Sequence, residues 1–267
     1  MVRRPAAAKV RQVDNPNPRA SDAGALLDVL ARAVAAVGEA LATIPAEDRR
    51  RPGGRPGQYH LDIVADDAMC AVLHGAGLAV LSEESGRTGP AEADLLVVAD
   101  PVDGSTNASL GIPWFATSLC VLDDLGPLVA LVVNQVDGTR YEARRGEGAR
   151  RDGTGITPST CDTLAAAVVG VSGLPHRHPG WAQFRALGAA SLDLCAVATG
   201  ALDGYRMAGG GALHSWDYLG GMLVCAEAGA PVAELDGRDL VVRDASPRRP
   251  VAAATQPLLA ELRGVAI

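Results

Sequence analysis

An apolar run that ends in two carboxylates is the feature that most constrains this chain. Residues 95–99 read Leu-Leu-Val-Val-Ala, and Asp-Pro-Val-Asp-Gly-Ser-Thr-Asn follows at 100–107. A short apolar run that stops at turn residues predicts a buried β-strand. Because Pro101 restricts its own φ and lacks an amide hydrogen, a sharp turn is expected between Asp100 and Asp103. The small residues after Asp103 suit an anion, and a Mg²⁺ ion would remove the repulsion between a phosphate and the carboxylates.

Composition excludes several functional classes. The chain has 267 residues, of which 48% are hydrophobic and 21% charged, so it is long enough to bury a core. Its net charge of −7 argues against a nucleic-acid polymer as partner, whereas a small anionic substrate stays compatible. The single lysine, Lys9, lies near the N-terminus, which excludes mechanisms that need a core lysine, such as a Walker A phosphate loop or a Schiff base.

Cysteine spacing and hydropathy indicate the cellular location of the protein. Five separated cysteines without a Cys-x-x-Cys pair are typical of free thiols in a reducing compartment. The first residues, Met-Val-Arg-Arg-Pro, lack the apolar region of a secretion signal, and no apolar run reaches the roughly 18 residues of a membrane span. These features predict a cytoplasmic protein that does not associate with a membrane.

Hydrophobic periodicity predicts an alternating order of helices and strands. Helices are expected over residues 21–44, 62–76, 189–199, 216–228 and 256–263. Strands are expected over residues 78–81, 95–99, 114–122, 128–133, 139–143, 168–171 and 202–205, with short strands at Val232, Leu240 and Val251. Residues 45–58 and 172–184 are interpreted as loops because they are rich in proline and glycine. This order is typical of an α/β fold.

The beginning of the chain differs in character from the rest. Residues 1–20 contain proline, arginine, asparagine and alanine without periodicity, which predicts a disordered tail. No long linker interrupts the remaining residues, so residues 21–267 are interpreted as a single domain with halves over about 21–150 and 151–267.

Three acidic segments are candidates for a functional site, although each alone has an ordinary explanation. Asp100 and Asp103 can form a solvated β-turn, Glu83 and Glu84 a charged turn after a strand, and Asp217 an N-cap for the next helix. Their combination favours a ligand set, because Mg²⁺ prefers carboxylate and carbonyl oxygens and no cluster of histidine or cysteine competes with them.

These three segments, in this order and with Gly-Gly after the Trp-Asp pair, resemble the inositol monophosphatase family over residues 22–263. The resemblance implies a layered αβαβα sandwich, two or three Mg²⁺ ions per site and a homodimer, in a divergent bacterial-type member. It also implies two-metal hydrolysis of a small polyol or sugar phosphate, similar to inositol monophosphate. A 3′-phosphonucleotide, fructose 1,6-bisphosphate or histidinol phosphate is an alternative substrate, and a catalytically weak binding or regulatory role is an alternative function.

Site residues follow from the same resemblance, position by position. The implied metal ligands are Glu83, Asp100, the carbonyl of Val102, Asp103 and Asp217. The implied catalytic residues are Glu83, Asp103 and Ser105, where Ser105 replaces the family's threonine and keeps the hydroxyl that polarises the attacking water. The implied contacts with phosphate and substrate are Asp103, Gly104, Ser105, Thr106 and Asp217.

Two regions depart from the family pattern. Counting back from Glu83, Asp66 takes the second aspartate of the family's Asp-x-Val-Thr-x-x-Asp segment and His60 the first, unless Asp62 replaces it through a local shift. The third metal ion is therefore left open.

The second departure lies in the segments that face the substrate. Met207 occupies the position of a substrate glutamate, residues 208–211 resemble an insertion, and residues 172–184 are shorter than usual. Arg206 and Arg185 are candidates to contact a second anionic group of the substrate, and His214 can contact the substrate or pack at the loop.

Overall fold

The computed structural model describes residues 23–265, so the tail predicted over residues 1–20 lies outside the described residues. The helices are α1 (Ala23–Ala42), α2 (His60–Gly75), α3 (Ser105–Leu110), α4 (Ala190–Ala198), α5 (Ser215–Ala228) and α6 (Gln256–Gly264). The strands are β1 (Ala79–Ser82), β2 (Gly86–Thr88), β3 (Leu96–Asp103), β4 (Ala116–Asp123), β5 (Gly126–Asn134), β6 (Arg140–Arg144), β7 (Gly148–Arg151), β8 (Thr154–Gly155), β9 (Val168–Ser172), β10 (Gln183–Arg185), β11 (Gly204–Met207), β12 (Val232–Glu234) and β13 (Pro250–Ala253). Within residues 23–265, no helix is long and apolar enough to cross a bilayer.

The elements stack in five layers. A large sheet has the strand order β2-β1-β3-β4-β5-β6-β7-β8, and a small sheet has the order β10-β9-β11-β13-β12. Helices α1 and α2 cover one face of the large sheet, α4 and α5 lie between the sheets, and α6 packs on the small sheet. The expected α/β class and its layered αβαβα sandwich are confirmed.

The outer layer forms because apolar residues recur at helical spacing. In α1 the buried positions Leu27, Leu30, Val34 and Val37 are three or four residues apart and share one face. They pack on α2 and on the large sheet. All eight residues of β3 are buried, since β3 lies between β1 and β4 with helices on both faces of the sheet.

Strand β3 continues through Pro101, where the sequence predicts a sharp turn. Its pairing with β4 shifts register between Asp100 and Asp103, because Pro101 has no amide hydrogen for the ladder. The groups left out of the ladder find local partners: Thr117 Oγ1 donates to Pro101 O at 2.8 Å, and Val102 N donates to Asp100 Oδ1 at 2.9 Å. The irregularity thus places two carboxylates at the end of a buried strand.

Other differences from the sequence prediction involve short or polar segments. The strand predicted at Leu240 is wrong: the residue lies in an irregular segment, and its carbonyl accepts the Tyr218 hydroxyl at 2.6 Å. The pattern does not predict β2, β7, β8 or β10, because each has at most four residues and lacks apolar alternation. Strand β10 is exposed and lies at the edge of the small sheet, where β9 is its one partner among the strands of residues 23–265.

Candidate active site

Three carboxylates meet where two strands end and a helix begins. Glu83 follows β1, Asp100 lies near the end of β3, and Asp217 lies in the first turn of α5. Because β1 and β3 are parallel neighbours, Glu83 N donates to Ala99 O at 3.2 Å and the two acids emerge side by side. Each of the three residues offers a carboxylate oxygen, and these oxygens lie within 4.8 Å of one another.

Burial changes the protonation of this cluster. It raises the pKa of Glu83 to about 7, with repulsion from Glu84 and Asp103 adding to the shift. It also raises the pKa of Asp100 and of Asp217, and repulsion from Glu83 adds to both shifts. Within residues 23–265, no arginine forms an ion pair with these three carboxylates. A bound cation is therefore the partner that would stabilise their charged forms.

Asp103, the fourth predicted acidic ligand, points to the beginning of α4. Its Oδ2 accepts Ser191 N at 2.7 Å and Ser191 Oγ at 2.5 Å, and its Oδ1 accepts Ala190 N at 3.2 Å. Burial raises its pKa to about 6, although these hydrogen bonds act in the opposite direction. Asp103 therefore lies outside the group of three oxygens and joins β3 to α4.

The predicted phosphate-binding residues form a tight turn into α3. Gly104 has a φ of +89°, and a Cβ there would lie 3.0 Å from Gly188 O and 3.1 Å from Trp114 O. Both the backbone conformation and the close approach require glycine at this position. Ser105 and Thr106 follow as the first residues of α3.

The turn is fixed by side chains on two sides. Asn107 Nδ2 donates to Trp114 O and to Leu187 O at 2.7 Å each, which ties α3 to the segment before α4. On the other side, a hydrogen bond with Thr106 lowers the pKa of Tyr59, the residue that precedes α2. The turn is thus held between the two halves of the chain.

Two cavities adjoin the carboxylate cluster. The first, which we call the acidic cavity, has about 460 Å³ and is lined by Arg55, Pro56, Gly57, Gln58, Asp62, Glu83, Glu84, Ser105, His214, Trp216 and Ala245. The second, which we call the small-residue cavity, has about 230 Å³ and is lined by Asp103, Val171, Ser172, Gly173, Ala186, Gly188, Ala190, Leu213 and Asp217. Glu83 lines the first and Asp217 the second, so the cluster lies between them.

Nearly all of these residues lie within one matched region of sequence. The pattern of the inositol monophosphatase family matches residues 57–265. This chain belongs to the inositol monophosphatase family. The family consists of phosphatases that depend on metal ions, which agrees with a cluster of carboxylates that lacks a cationic partner.

Named relatives and solved structures agree with this membership. The chain is 33% identical over 213 residues to a fructose-1,6-bisphosphatase/inositol-1-monophosphatase of Archaeoglobus fulgidus, covering 76% of this chain and 82% of the relative. It is 34% identical over 202 residues to an inositol-1-monophosphatase of Mesorhizobium japonicum, covering 68% and 74%. It is 29% identical over 195 residues to the Nus factor SuhB of Pasteurella multocida, covering 67% and 72%. The solved structure of an extragenic suppressor from Pyrococcus furiosus has 26% identity and a TM-score of 0.77 over 90% of this chain and 99% of its own.

In this member of the inositol monophosphatase family, α2 contributes Asp62 to the acidic cavity rather than His60 or Asp66. Asp62 is 2% exposed, its Oδ2 accepts Tyr59 N at 2.8 Å, and its Oδ1 has no hydrogen-bond partner among residues 23–265. Burial raises its pKa to about 7. Asp66 instead accepts a hydrogen bond from Ser82 Oγ and joins α2 to β1, and His60 lines neither cavity. Of the three candidates in this segment, only Asp62 faces the site.

The loop before α2 supplies residues that sequence reasoning missed. Arg55 Nη2 donates to Glu84 Oε2 at 2.6 Å and to Glu83 O at 3.3 Å. Gln58 also donates to Glu84, and its Oε1 accepts Gly54 N at 2.8 Å. The sequence indicates only a mobile loop over 45–58, because these contacts depend on how the loop folds and no local pattern distinguishes Arg55 from the arginines before it.

Two predicted substrate contacts have different outcomes. Arg206 does not face the site: it is buried, and its guanidinium donates to Leu262 O and, at 2.6 Å, to Val265 O at the end of α6. The reason is that its position in β11 directs it toward α6 rather than toward the cluster. His214 lines the acidic cavity, and its ring stacks on Trp216 with 4.9 Å between ring centres. His214 therefore stays a candidate contact, and Arg206 does not.

Proposed function

We propose that this protein is a Mg²⁺-dependent phosphomonoester hydrolase that acts on a small polyol or sugar phosphate similar to inositol monophosphate. One observation carries the proposal: oxygens of Glu83, Asp100 and Asp217 lie within 4.8 Å of one another between two cavities. Membership in a family of phosphatases supports the reaction class.

The donor set fits hard divalent cations. The clustered ligands are all carboxylate oxygens, which Mg²⁺ prefers to nitrogen or sulfur. Glu83, Asp100 and Asp217 would hold one ion. Asp100, the carbonyl of Val102 and Asp103 would hold a second, for which Asp103 Oδ1 keeps a lone pair beside its hydrogen bond from Ala190 N. Ions at these positions would polarise the phosphate and lower the pKa of a bound water.

Asp62 is the candidate ligand for a third ion. Its buried Oδ1 has no partner among the described residues, and Glu83 and Glu84 line the same cavity. A cation bound at Asp62 would offset the repulsion among these three carboxylates, which adds to the effect of burial in raising the pKa of Asp62 and of Glu83. Titration of Mg²⁺ binding should give one fewer ion, or one weaker ion, for Asp62→Asn than for the unmodified protein.

Residues around the cluster would perform the remaining steps. Ser105 lines the acidic cavity with Glu83, and this pair would orient the attacking water and accept its proton. The backbone amides of Gly104 and Ser105 and the hydroxyl of Thr106 would hold the phosphate oxygens. The leaving alcohol would occupy the small-residue cavity, which adjoins the cluster at Asp217.

A phosphate-release panel tests this function. The panel holds inositol 1-phosphate, glycerol phosphate, fructose 1,6-bisphosphate, a 3′-phosphonucleotide and histidinol phosphate, each with Mg²⁺ and with a chelator. We expect turnover of at least one substrate that stops with the chelator. Asp217→Asn should lower kcat by about 100-fold or more, because it removes a charged ligand from the cluster. Asp137→Asn, in an exposed turn, should leave kcat unchanged.

A second candidate is a binding or regulatory role. It is favoured by the relative from Pasteurella multocida, whose name is Nus factor SuhB. The two candidates differ in their response to Mg²⁺ and substrate. A hydrolase releases phosphate, whereas a binding protein shows a Mg²⁺-dependent rise in unfolding temperature without turnover of any member of the panel.

We also propose a cytoplasmic homodimer. The exposed side chains of Leu174 and Phe184, beside and in the edge strand β10, offer an apolar surface for self-association. Analytical ultracentrifugation tests the dimer: a single species of 27.3 kDa at all concentrations would contradict it.

A further inference from the structure

We propose that the small-residue cavity recognises an uncharged leaving alcohol through a hydrogen bond from Ser172, and that it rejects alcohols that carry a second phosphate. The inference rests on the proposed phosphatase function, and it specifies which feature of the leaving alcohol the site recognises. It also sets this chain apart from the relative of Archaeoglobus fulgidus, whose name includes fructose-1,6-bisphosphatase.

The lining of this cavity contains little charge for a leaving group to bind. Apart from Asp103 and Asp217, which we assign to metal ions, the described lining side chains are uncharged: Val171, Ser172, Gly173, Ala186, Gly188, Ala190 and Leu213. Ser172 carries the one hydroxyl in this set. An alcohol that enters the cavity therefore meets apolar walls, backbone groups and a single hydroxyl, which suits a small molecule without charge.

Three arginines that are candidates to bind a second phosphate have hydrogen-bond partners within the protein, and none of them lines the small-residue cavity. Arg206 binds the end of α6, and Arg185 donates to Gln183 Oε1 at 2.8 Å and to the backbone of its own strand. Arg55, in the acidic cavity, pairs with Glu84. A second phosphate in the small-residue cavity would thus find no cationic side chain among the described lining residues, which is costly because the charge would lose part of its hydration.

The hydrogen bonding of Ser172 leaves its hydroxyl hydrogen free to bind a ligand in the cavity that Ser172 lines. Tyr205 is fully buried, and its hydroxyl donates to Ser172 Oγ at 2.7 Å. The Sδ of Met207 lies farther from the same hydroxyl, at 3.6 Å, and a thioether is the weaker acceptor. Since the Ser172 oxygen already accepts from Tyr205, its own hydrogen is available to a ligand, and no described protein group accepts it.

The backbone fixes where Ser172 stands. Ser172 ends β9, where it pairs in parallel with Met207 of β11, and its carbonyl accepts Ala208 N at 2.8 Å. Because strand and buried tyrosine hold the hydroxyl in place, little conformational entropy is lost when it binds a substrate. This preorganisation makes Ser172 a specificity-determining residue rather than an adaptable surface contact.

Paired substrates test the hydroxyl contact. Glycerol 1-phosphate and propyl phosphate have the same carbon chain, and only the first carries hydroxyls for Ser172. With Mg²⁺, kcat/KM should favour glycerol 1-phosphate by about five-fold, the effect of one hydrogen bond. Ser172→Ala should remove this preference, and Ser172→Thr, which keeps a hydroxyl, should retain it. Tyr205→Phe should weaken the preference, because Ser172 would lose its donor and could rotate.

A matched control and a stability measurement separate specificity from folding. Ser159→Ala also removes a hydroxyl from the second half of the chain, one that donates to Asp203 Oδ1 at 2.6 Å and lines neither cavity. It should keep the unmodified ratio between the two substrates. The ratio is independent of the fraction of folded enzyme, so a lower unfolding temperature of any variant leaves the comparison valid.

A second pair of substrates tests the rejection of charge. Fructose 1-phosphate should be favoured over fructose 1,6-bisphosphate by about ten-fold or more in kcat/KM. Ala186→Arg, which adds a guanidinium at the exposed edge of the cavity, should reduce this factor. Turnover of fructose 1,6-bisphosphate that equals or exceeds that of fructose 1-phosphate, or a preference for glycerol 1-phosphate that persists in Ser172→Ala, would overturn the inference alone. Failure to hydrolyse any substrate with Mg²⁺ would instead overturn the phosphatase function and this inference with it.

Discussion

Two separate constraints require glycine at position 104, and substitutions can distinguish their energetic costs. The φ of Gly104 is +89°, and an added Cβ would contact two carbonyl oxygens, at 3.0 and 3.1 Å. Gly138, in a turn with φ of +74°, has nothing within 4 Å of a Cβ and shares only the first constraint. Gly104→Ala should therefore lower the free energy of unfolding by about 2 to 4 kcal/mol, and Gly138→Ala by about 1 kcal/mol. Urea unfolding measures both values, and equal losses would show that the close approach has no energetic weight.

The raised pKa of Glu83 predicts how Mg²⁺ and pH together affect the stability of the protein. Burial raises this pKa from 4.5 to about 7, so without metal the folded chain holds a proton that the unfolded chain releases between these values. The stability of the metal-free protein should therefore fall as pH rises through this interval. Because Mg²⁺ competes with this proton, it should raise the unfolding temperature more at about pH 8 than at about pH 5. Thermal unfolding with Mg²⁺ and with a chelator tests this, and an equal rise at both pH values would contradict it.

The sequence predicts the acidic residues of the site more completely than the residues that form hydrogen bonds to them. Glu83, Asp100 and Asp217 are predicted as ligands, and the structure brings their oxygens together. Asp103 is predicted as a ligand as well, but its bonds to the first turn of α4 depend on how two distant segments meet. The contact of Arg55 with the site could not be predicted from the sequence for the same physical reason, since its partner Glu84 is 29 residues away and belongs to another element.

At the scale of elements, the loop at residues 51–58 is more ordered than its composition suggests. Gly53 N donates to Gln58 O at 2.8 Å, and the Gln58 side chain binds both Gly54 and Glu84. Gln58→Ala should remove the two side-chain contacts and increase hydrogen exchange of the amides in residues 53–58, while the exchange of β3 and β4 stays unchanged. Gln183→Ala, on the exposed edge strand β10, is the control and should leave the loop amides unaffected. Unaltered exchange in the loop of Gln58→Ala would show that its backbone alone maintains the fold.

The elements that the sequence predicts best are those with one strong pattern. Helix α1 and the strands β4 to β6 have long apolar or alternating runs, and the structure contains them close to their predicted bounds. Strand β10 has no such run, because it is exposed and is held by hydrogen bonds to β9 rather than by apolar burial. Leu240 shows the reverse case, since it packs on the core that contains α5 without pairing in a sheet.

At the scale of the whole molecule, the layer of α4 and α5 lies in one apolar core with residues of both sheets. We therefore propose that the two halves unfold together. Leu219, fully buried in α5, should on replacement by alanine lower the free energy of unfolding by about 2 to 5 kcal/mol. Far-UV circular dichroism and tryptophan fluorescence, to which Trp181 of the small-sheet core contributes, should follow one common transition. Two separate transitions would show that the sheets are independent folding units.

The carboxylate cluster takes Glu83 and Asp100 from the first half of the chain and Asp217 from the second. During synthesis, a ribosome must therefore release most of the chain before the cluster is complete, so a truncated product cannot assemble all three ligands. The same division makes the protein a natural split reporter. If the backbone is cut at the exposed turn around Asp152 and Gly153, between β7 and β8, neither fragment carries the full cluster, and phosphate release would report that the two fragments have met.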